Sequence, residues 1–239
     1  MRLGIICALK VEINDILTQC ADVQKQEIAG TTCYMASRIG TAQDIEVILM
    51  LCGMGLSNAA AGTQLLISHF GVDTVIFSGI AGSLQPEHAI NSLVVGSKLK
   101  YIDTDSSLIA ESLPHLEVFH ADKRLIALAL ETAQNLGIEL QPAIIASGNR
   151  FISRQQDVES IRTKLNASVV EMEGAAVTHI CMKNNIPSLI IRTISDYCDT
   201  CYEDFGNQKF EICQAAQKSA YFVVKFCEQI AKYQKLFNS

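Results

Sequence analysis

Proline is scarce in this chain, four residues in 239, and tryptophan is missing altogether. No stretch gathers Pro, Gly and Ser into a linker, and neither low-complexity segments nor repeats interrupt the pattern. A single domain over residues 1–239 is therefore expected. No apolar run reaches the roughly 20 residues that a bilayer span requires. The apolar stretch after Arg2 is broken by Lys10 and Glu12 within a helix-like pattern, so it does not read as a signal peptide. There is no basic block, and the net charge is −6, which argues against a nucleic-acid partner. What the chain does have is 49% apolar residues, enough for a well-buried core, and nine cysteines. An odd number of cysteines scattered through apolar segments suits reduced, buried thiols better than a disulfide framework, and points to the cytoplasm.

The coarse pattern is a set of buried strands alternating with helices, joined to a meander. Residues 3–8 read as a first strand and residues 10–19 as a helix carrying Glu12 in its first turn, where the helix dipole favours a carboxylate. Residues 25–29, 32–38 and 46–51 read as antiparallel meander strands. Cys52-Gly53-Met54-Gly55 then turns into a small-residue helix over 56–70, and the glycines allow close backbone approach at its N-terminus. A strand over 74–78 leads to a second glycine loop, Gly79-Ile80-Ala81-Gly82. A strand over 92–101, a loop over 103–119, a helix over 121–136, a strand over 141–147 and an exposed helix over 155–164 follow. A final helix spans about 208–233, with one apolar face. This order predicts an α/β fold, a three-layer α/β/α sandwich with a central mixed sheet.

The most informative stretch runs from Val169 to Asp196. An apolar strand ends in Glu171-Met172-Glu173, a small-residue helix over 172–184 turns the chain, and a second apolar strand ends in Ser195-Asp196. Read as a parallel crossover, it brings both strand ends to one sheet edge, where ligands sit in open α/β sheets. Glu171, Glu173 and Asp196 should then share a cleft.

Val-Glu-Met-Glu-Gly-Ala-Ala over 170–176, followed by Arg192-x-Ile-Ser-Asp196, resembles the purine nucleoside phosphorylase/nucleosidase superfamily. Within it the chain is most similar to the bacterial 5′-methylthioadenosine/S-adenosylhomocysteine nucleosidases, from Gly4-Ile-Ile-x-Ala-x-x-x-Glu12 to the last helix. The resemblance implies hydrolysis of an N-glycosidic bond to adenine without cofactor or metal, and a homodimer. It implies Asp196 as the acid that protonates N7 of adenine and Glu12 as the base that orients water. That division of labour follows the physical need, since a leaving base must be neutralised and the sugar cation needs a nucleophile on its other face. The resemblance further gives Glu173 the ribose hydroxyls, which a carboxylate accepts well. It sets Met172 under the sugar and adenine against Phe151 and Ile152, while Glu171, Met54, Ile80, Ala81 and Gly82 complete the substrate-binding set.

Each of these residues also has a plainer reading. Ser-Asp caps turns and helices routinely, Glu12 suits a solvated first turn, and Met172 and Phe151 suit core packing. Cys198-x-x-Cys201 lacks the second ligand pair or the redox setting that would make it more than a loop feature, and His179 reads as structural. The chain also departs from the family pattern. Ile80 replaces a serine and Phe77 an arginine, the residues that hold phosphate in the phosphorylases, so water is the expected nucleophile. The 103–119 segment is short and lacks the aromatic pattern that builds the 5′-substituent pocket, with only Pro114 as a remnant. The reaction is therefore better marked in the sequence than the 5′ group: 5′-methylthioadenosine or S-adenosylhomocysteine is the expected substrate, another 5′-modified nucleoside such as 5′-deoxyadenosine or futalosine is the alternative, and a phosphorylase or a non-catalytic nucleoside-binding module comes after these.

Overall fold

The computed structural model describes residues 1–43 and 45–233; Asp44 and residues 234–239, which the expected single domain also spans, lie outside the described residues. The chain opens with β1 (Arg2–Cys7), α1 (Lys10–Leu17), β2 (Cys20–Ala21), β3 (Gln24–Ile28), β4 (Thr31–Ala36), β5 (Arg38–Ile39) and β6 (Glu46–Leu51). It continues through α2 (Leu56–Ser68), β7 (Thr74–Ser83), β8 (Leu93–Tyr101), α3 (Ser106–Ile109), β9 (Phe119–His120), α4 (Lys123–Asn135) and β10 (Leu140–Ser147). It closes with α5 (Gln155–Leu165), β11 (Val169–Glu171), α6 (Gly174–Lys183), β12 (Ser188–Asp196), α7 (Tyr202–Asn207) and α8 (Lys209–Lys232).

The large sheet is mixed, in the order β11-β10-β8-β12-β7-β1-β6-β4-β3, with β9 attached to β8. Its central strands are buried on both sides, which explains why they read as unbroken apolar runs. On β6, Val47 and Leu49 face α1, α4 and α8, while Ile48 and Met50 face α2 and α6. Helices thus cover both faces of the sheet. The meander is as expected, with β3, β4 and β6 antiparallel, and β6 joins it to the rest by running parallel to β1.

Several expectations give way, among them the loop over 103–119, which holds α3 and the start of β9. The segment after Ser78 is not a glycine loop: β7 runs on through Gly79-Ile80-Ala81-Gly82 to Ser83, because both its edges find partners. The β11-α6-β12 segment is not a parallel crossover. β11 lies beside β10 and β7, runs parallel to the first and antiparallel to the second, and so runs opposite to β12. Both neighbouring places beside β12 are already taken, by β7 and β8. Because β11 pairs with both β10 and β7, the strands β7, β12, β8, β10 and β11 close on themselves. The helix expected to be exposed, α5, buries Val158 and Ile161 against Ile152, Val170 and Cys198. Cys198–Cys201 lie in a loop, as expected, and α7 follows it without having been expected; its first turn carries Glu203 and Asp204 at the favourable end of the helix dipole.

Candidate active site

The closure of the strands brings the carboxylates together. Gly82 of β7 is paired with Asp196 of β12 on one side and with Val170 of β11 on the other. Four consecutive residues of β7 therefore serve as a common rail. A Cβ on Gly79 would stand 2.6 Å from Glu12 Oε1, the Ile80 amide donates to the same oxygen at 3.1 Å, the Ala81 carbonyl accepts from Ser195 Oγ at 3.2 Å, and Gly82 backs onto Asp196. Glycine at 79 and 82 is a matter of space, since any side chain would displace a functional group.

A cavity of ≈ 200 Å³ opens at this rail. Glu12, Met54, Ile80, Ala81, Phe151, Ile152, Glu171, Met172, Glu173 and Asp196 all line it. Gly82 does not: it lies behind Asp196, and its contribution is room.

Glu12 is buried, at the third position of α1. Its Oε2 accepts from the amides of Ala8 (3.0 Å) and Leu9 (2.9 Å), and Oε1 accepts from Ile80. Burial raises its pKa above the usual glutamate range, against the opposing pull of Arg192 and the three amides. A carboxylate has about four acceptor positions, so one remains for a group in the cavity.

Asp196 ends β12. Ser195 Oγ donates to its Oδ2 at 2.7 Å, and the Cys198 amide donates to Oδ1 at 2.8 Å. The second bond closes an Asx-type turn, so the turn-capping reading also holds. Ser195 and Cys198, both buried, line the cavity beside it.

Glu171 and Glu173 divide the work. The Glu171 carboxylate is committed to the protein. It accepts from Ser147 Oγ, from the amides of Glu173 (3.2 Å) and Gly174 (2.7 Å) at the start of α6, and from Arg192 Nη2 (2.7 Å). Its role in holding substrate is thereby reduced to lining. Glu173 is held by one bond, from the Gly55 amide at 2.7 Å. Its pKa is raised by burial and by the neighbouring Glu171 charge. The Gly53–Gly55 turn, with φ of 86° and 97° at its glycines, is thus occupied from within: Gly55 serves Glu173, and the Leu56 amide serves Asn149 Oδ1 at 2.9 Å.

Several participants escaped the sequence reading. Arg192 is 1% exposed, with its guanidinium 3.8 Å from the centroid of the Phe77 ring as well as paired with Glu171. Phe77 lies under this arginine and off the cavity wall. The signal for Arg192 was present, since an arginine inside a strand this apolar requires a buried acid partner. Tyr202 and Phe205 of α7 close over Phe151, with ring centroids 5.3 and 5.2 Å away. No periodicity marks so short a helix. The 103–119 segment contributes nothing to the cavity wall of the single chain; it exposes Leu108 and Leu113 instead. His179 packs as a structural residue, bonded to Tyr101 Oη at 3.0 Å and stacked on Phe119. Cys198 and Cys201 separate, one buried in the wall and the other exposed.

The chain is similar to known proteins over nearly its whole length. The family model described as "Phosphorylase superfamily" matches residues 2–228. An aminodeoxyfutalosine nucleosidase of Campylobacter jejuni is 34% identical over 96% of this chain and 100% of its own length. A 5′-methylthioadenosine/S-adenosylhomocysteine nucleosidase of Maridesulfovibrio salexigens is 33% identical over 92% of this chain and 94% of its own. The native structure of a futalosine hydrolase of Helicobacter pylori superposes with a TM-score of 0.87 at 30% identity, covering 95% of this chain and 97% of the other.

Proposed function

The chain belongs to the phosphorylase superfamily and is, like its relatives, a nucleosidase, and from that premise we propose that it hydrolyses the N-glycosidic bond of 5′-methylthioadenosine or S-adenosylhomocysteine to adenine and a 5-thio-ribose. One observation carries the reading: β7 holds two buried carboxylates, Glu12 and Asp196, against one cavity, each with acceptor capacity left over. Asp196 delivers a proton to N7 of the leaving adenine. Glu12, with its one remaining acceptor position, orients the water that attacks the sugar from the other face. Glu173 receives the ribose hydroxyls on the oxygen that Gly55 leaves open, Met172 packs under the sugar, and the base lies against Phe151 and Ile152. Ile80 presents no hydroxyl to the cavity, which supports water over phosphate as nucleophile.

Aminodeoxyfutalosine is the second reading, supported by the relative that matches over its whole length. It changes the 5′ group and leaves the reaction as above. A homodimer in the cytoplasm completes the proposal. The exposed Leu108 and Leu113 would face the partner's 5′ pocket, and nine free cysteines suit a reducing compartment.

The test is a panel of 5′-methylthioadenosine, S-adenosylhomocysteine, aminodeoxyfutalosine, 5′-deoxyadenosine and adenosine, incubated with and without phosphate. Adenine release independent of phosphate is expected. A sugar 1-phosphate product would overturn hydrolysis, and release of adenine from aminodeoxyfutalosine alone would select the second reading.

A further inference from the structure

The Gly53–Gly55 turn is pinned by residues far away in the chain. Gly55 is the N-cap residue of α2 and has no side chain with which to cap it. A helix start leaves amides that find no partner within the helix. Here two consecutive amides go to two distant side chains. Gly55 donates to Glu173 Oε1 at 2.7 Å, and Leu56 donates to Asn149 Oδ1 at 2.9 Å. Asn58 Nδ2 donates to the Met54 carbonyl at 2.7 Å and steadies the same turn from the helix side. Gly55 sits at φ 97°, and a Cβ there would stand 3.1 Å from Asn149 Oδ1, so the bare glycine suits both the backbone and the approach of Asn149. Asn149 is itself anchored, because the amide of Gly148 before it donates to the Glu171 carbonyl at 3.1 Å. The contacts form a closed circuit. The 171–173 segment holds the end of β10, Asn149 just beyond β10 holds the start of α2, and the start of α2 holds Glu173.

We infer that Asn149 is a positioning residue for Glu173: by capping α2 across the site it fixes the Gly55 amide, and through that amide the Glu173 carboxylate on the cavity wall. This rests on the nucleosidase reading for what Glu173 receives, and on the hydrogen-bond circuit alone for the coupling. Asn149 also stands two residues before Phe151, so one short segment serves both the proposed wall for the base and the carboxylate for the ribose hydroxyls. Removing the cap frees the turn, and the carboxylate loses its fixed donor with it.

The test compares Asn149→Ala with Asn149→Asp. Asn149 is exposed, so neither change disturbs the core. The aspartate keeps an oxygen for the Leu56 amide, and a carboxylate is favoured at a helix N-terminus. The first readout needs no turnover: hydrogen exchange of the Gly55 and Leu56 amides, resolved by NMR. Both should exchange about fivefold faster in the alanine variant, the scale of one lost helix cap, and return to the wild-type rate in the aspartate variant. The second readout is kinetic. In the alanine variant KM for 5′-methylthioadenosine should rise about fivefold with kcat kept within about twofold, and the aspartate variant should restore KM. The inhibition constant of 2′,3′-dideoxyadenosine, which has no hydroxyls to give Glu173, should be the same in all three proteins. Faster exchange at Leu56 with Gly55 unchanged would overturn the inference, whether or not the wild type releases adenine, because Asn149 would then cap α2 and nothing more. Equal weakening of the dideoxynucleoside and the substrate would overturn it as well, as the mark of a general loosening. Absence of adenine release from the wild type, with both amides responding as expected, would instead sink the nucleosidase reading and leave the coupling to Glu173 standing.

Discussion

In the proposed mechanism the reaction depends on Asp196 and Glu12, whose loss would act in different ways. An amide at 196 keeps the shape and the bond to the Cys198 amide but carries no proton to N7. Asp196→Asn should therefore lose about 10²–10⁴-fold in base release while binding is largely kept; near wild-type turnover would remove Asp196 from the mechanism. Glu12 works ionised, and burial raises its pKa above the ordinary value of 4.5. As pH falls through the raised value the carboxylate takes up a proton and can no longer orient water. The acid limb of kcat/KM should thus lie above 4.5 and should vanish in Glu12→Gln along with most activity. A limb at or below 4.5 would show that another group controls it. Glu12 is where residue type alone misleads: a glutamate in a first helical turn is usually solvated, and only β7, contributed from elsewhere in the chain, buries this one.

At the scale of elements, the N-terminus of α6 is the joint of the site. Its amides are held by Glu171, Glu171 is held by Ser147 from β10 and Arg192 from β12, and Glu173 is its N-cap residue. Arg192→Met would leave the Glu171 carboxylate buried without its cation, at a cost of about 3–5 kcal/mol. A shift of the urea midpoint too small to correspond to even 1 kcal/mol would show that the pair is dispensable. Glu173 tests the opposite balance. Its pKa is raised in the folded chain, so its contribution to stability is complete below its unfolded value of 4.5 and is lost as pH rises through the folded value. Glu173→Gln keeps the acceptor for the Gly55 amide and cannot ionise. It should gain stability relative to the wild type as pH rises, while KM for nucleoside worsens. Parallel thermal-melting curves across pH for the two proteins would refute this. Helix and strand periods made these elements legible in the sequence; α7 was missed because six residues are too few for a period, and its aromatic contacts with Phe151 depend on where β12 ends.

For the whole molecule, the proposed assembly is argued from the cavity. One chain holds Asp196 and Glu12, the proposed acid and base, on one cavity, while the 103–119 segment turns Leu108 and Leu113 outward. Light scattering should give about twice the 26.1 kDa chain mass, and Leu113→Asp should weaken both association and discrimination among 5′ groups. A wild-type monomer at working concentration would sink the shared pocket. Discrimination should change by only about 1–3 kcal/mol, the scale of a few apolar contacts.

The sequence alone determined the α/β class, the buried two-sided strands and the motifs at 170–176 and 192–196, because apolar periodicity and residue type are local properties. It also marked Glu12, Glu173 and Asp196 as the acids to watch. It did not determine how they meet. The expected crossover between β11 and β12 would have brought their ends together by parallel topology, whereas the fold does so by extending β7 through Gly82 and pairing it with both strands. Strand pairing is a contest among distant segments for backbone hydrogen bonds, and only the closed sheet shows which segment wins. The same closure spends the Glu171 carboxylate on Arg192 and the α6 amides, leaves acceptor positions free on Glu12, Glu173 and Asp196, and makes the room at Gly79 and Gly82 into which those groups fit.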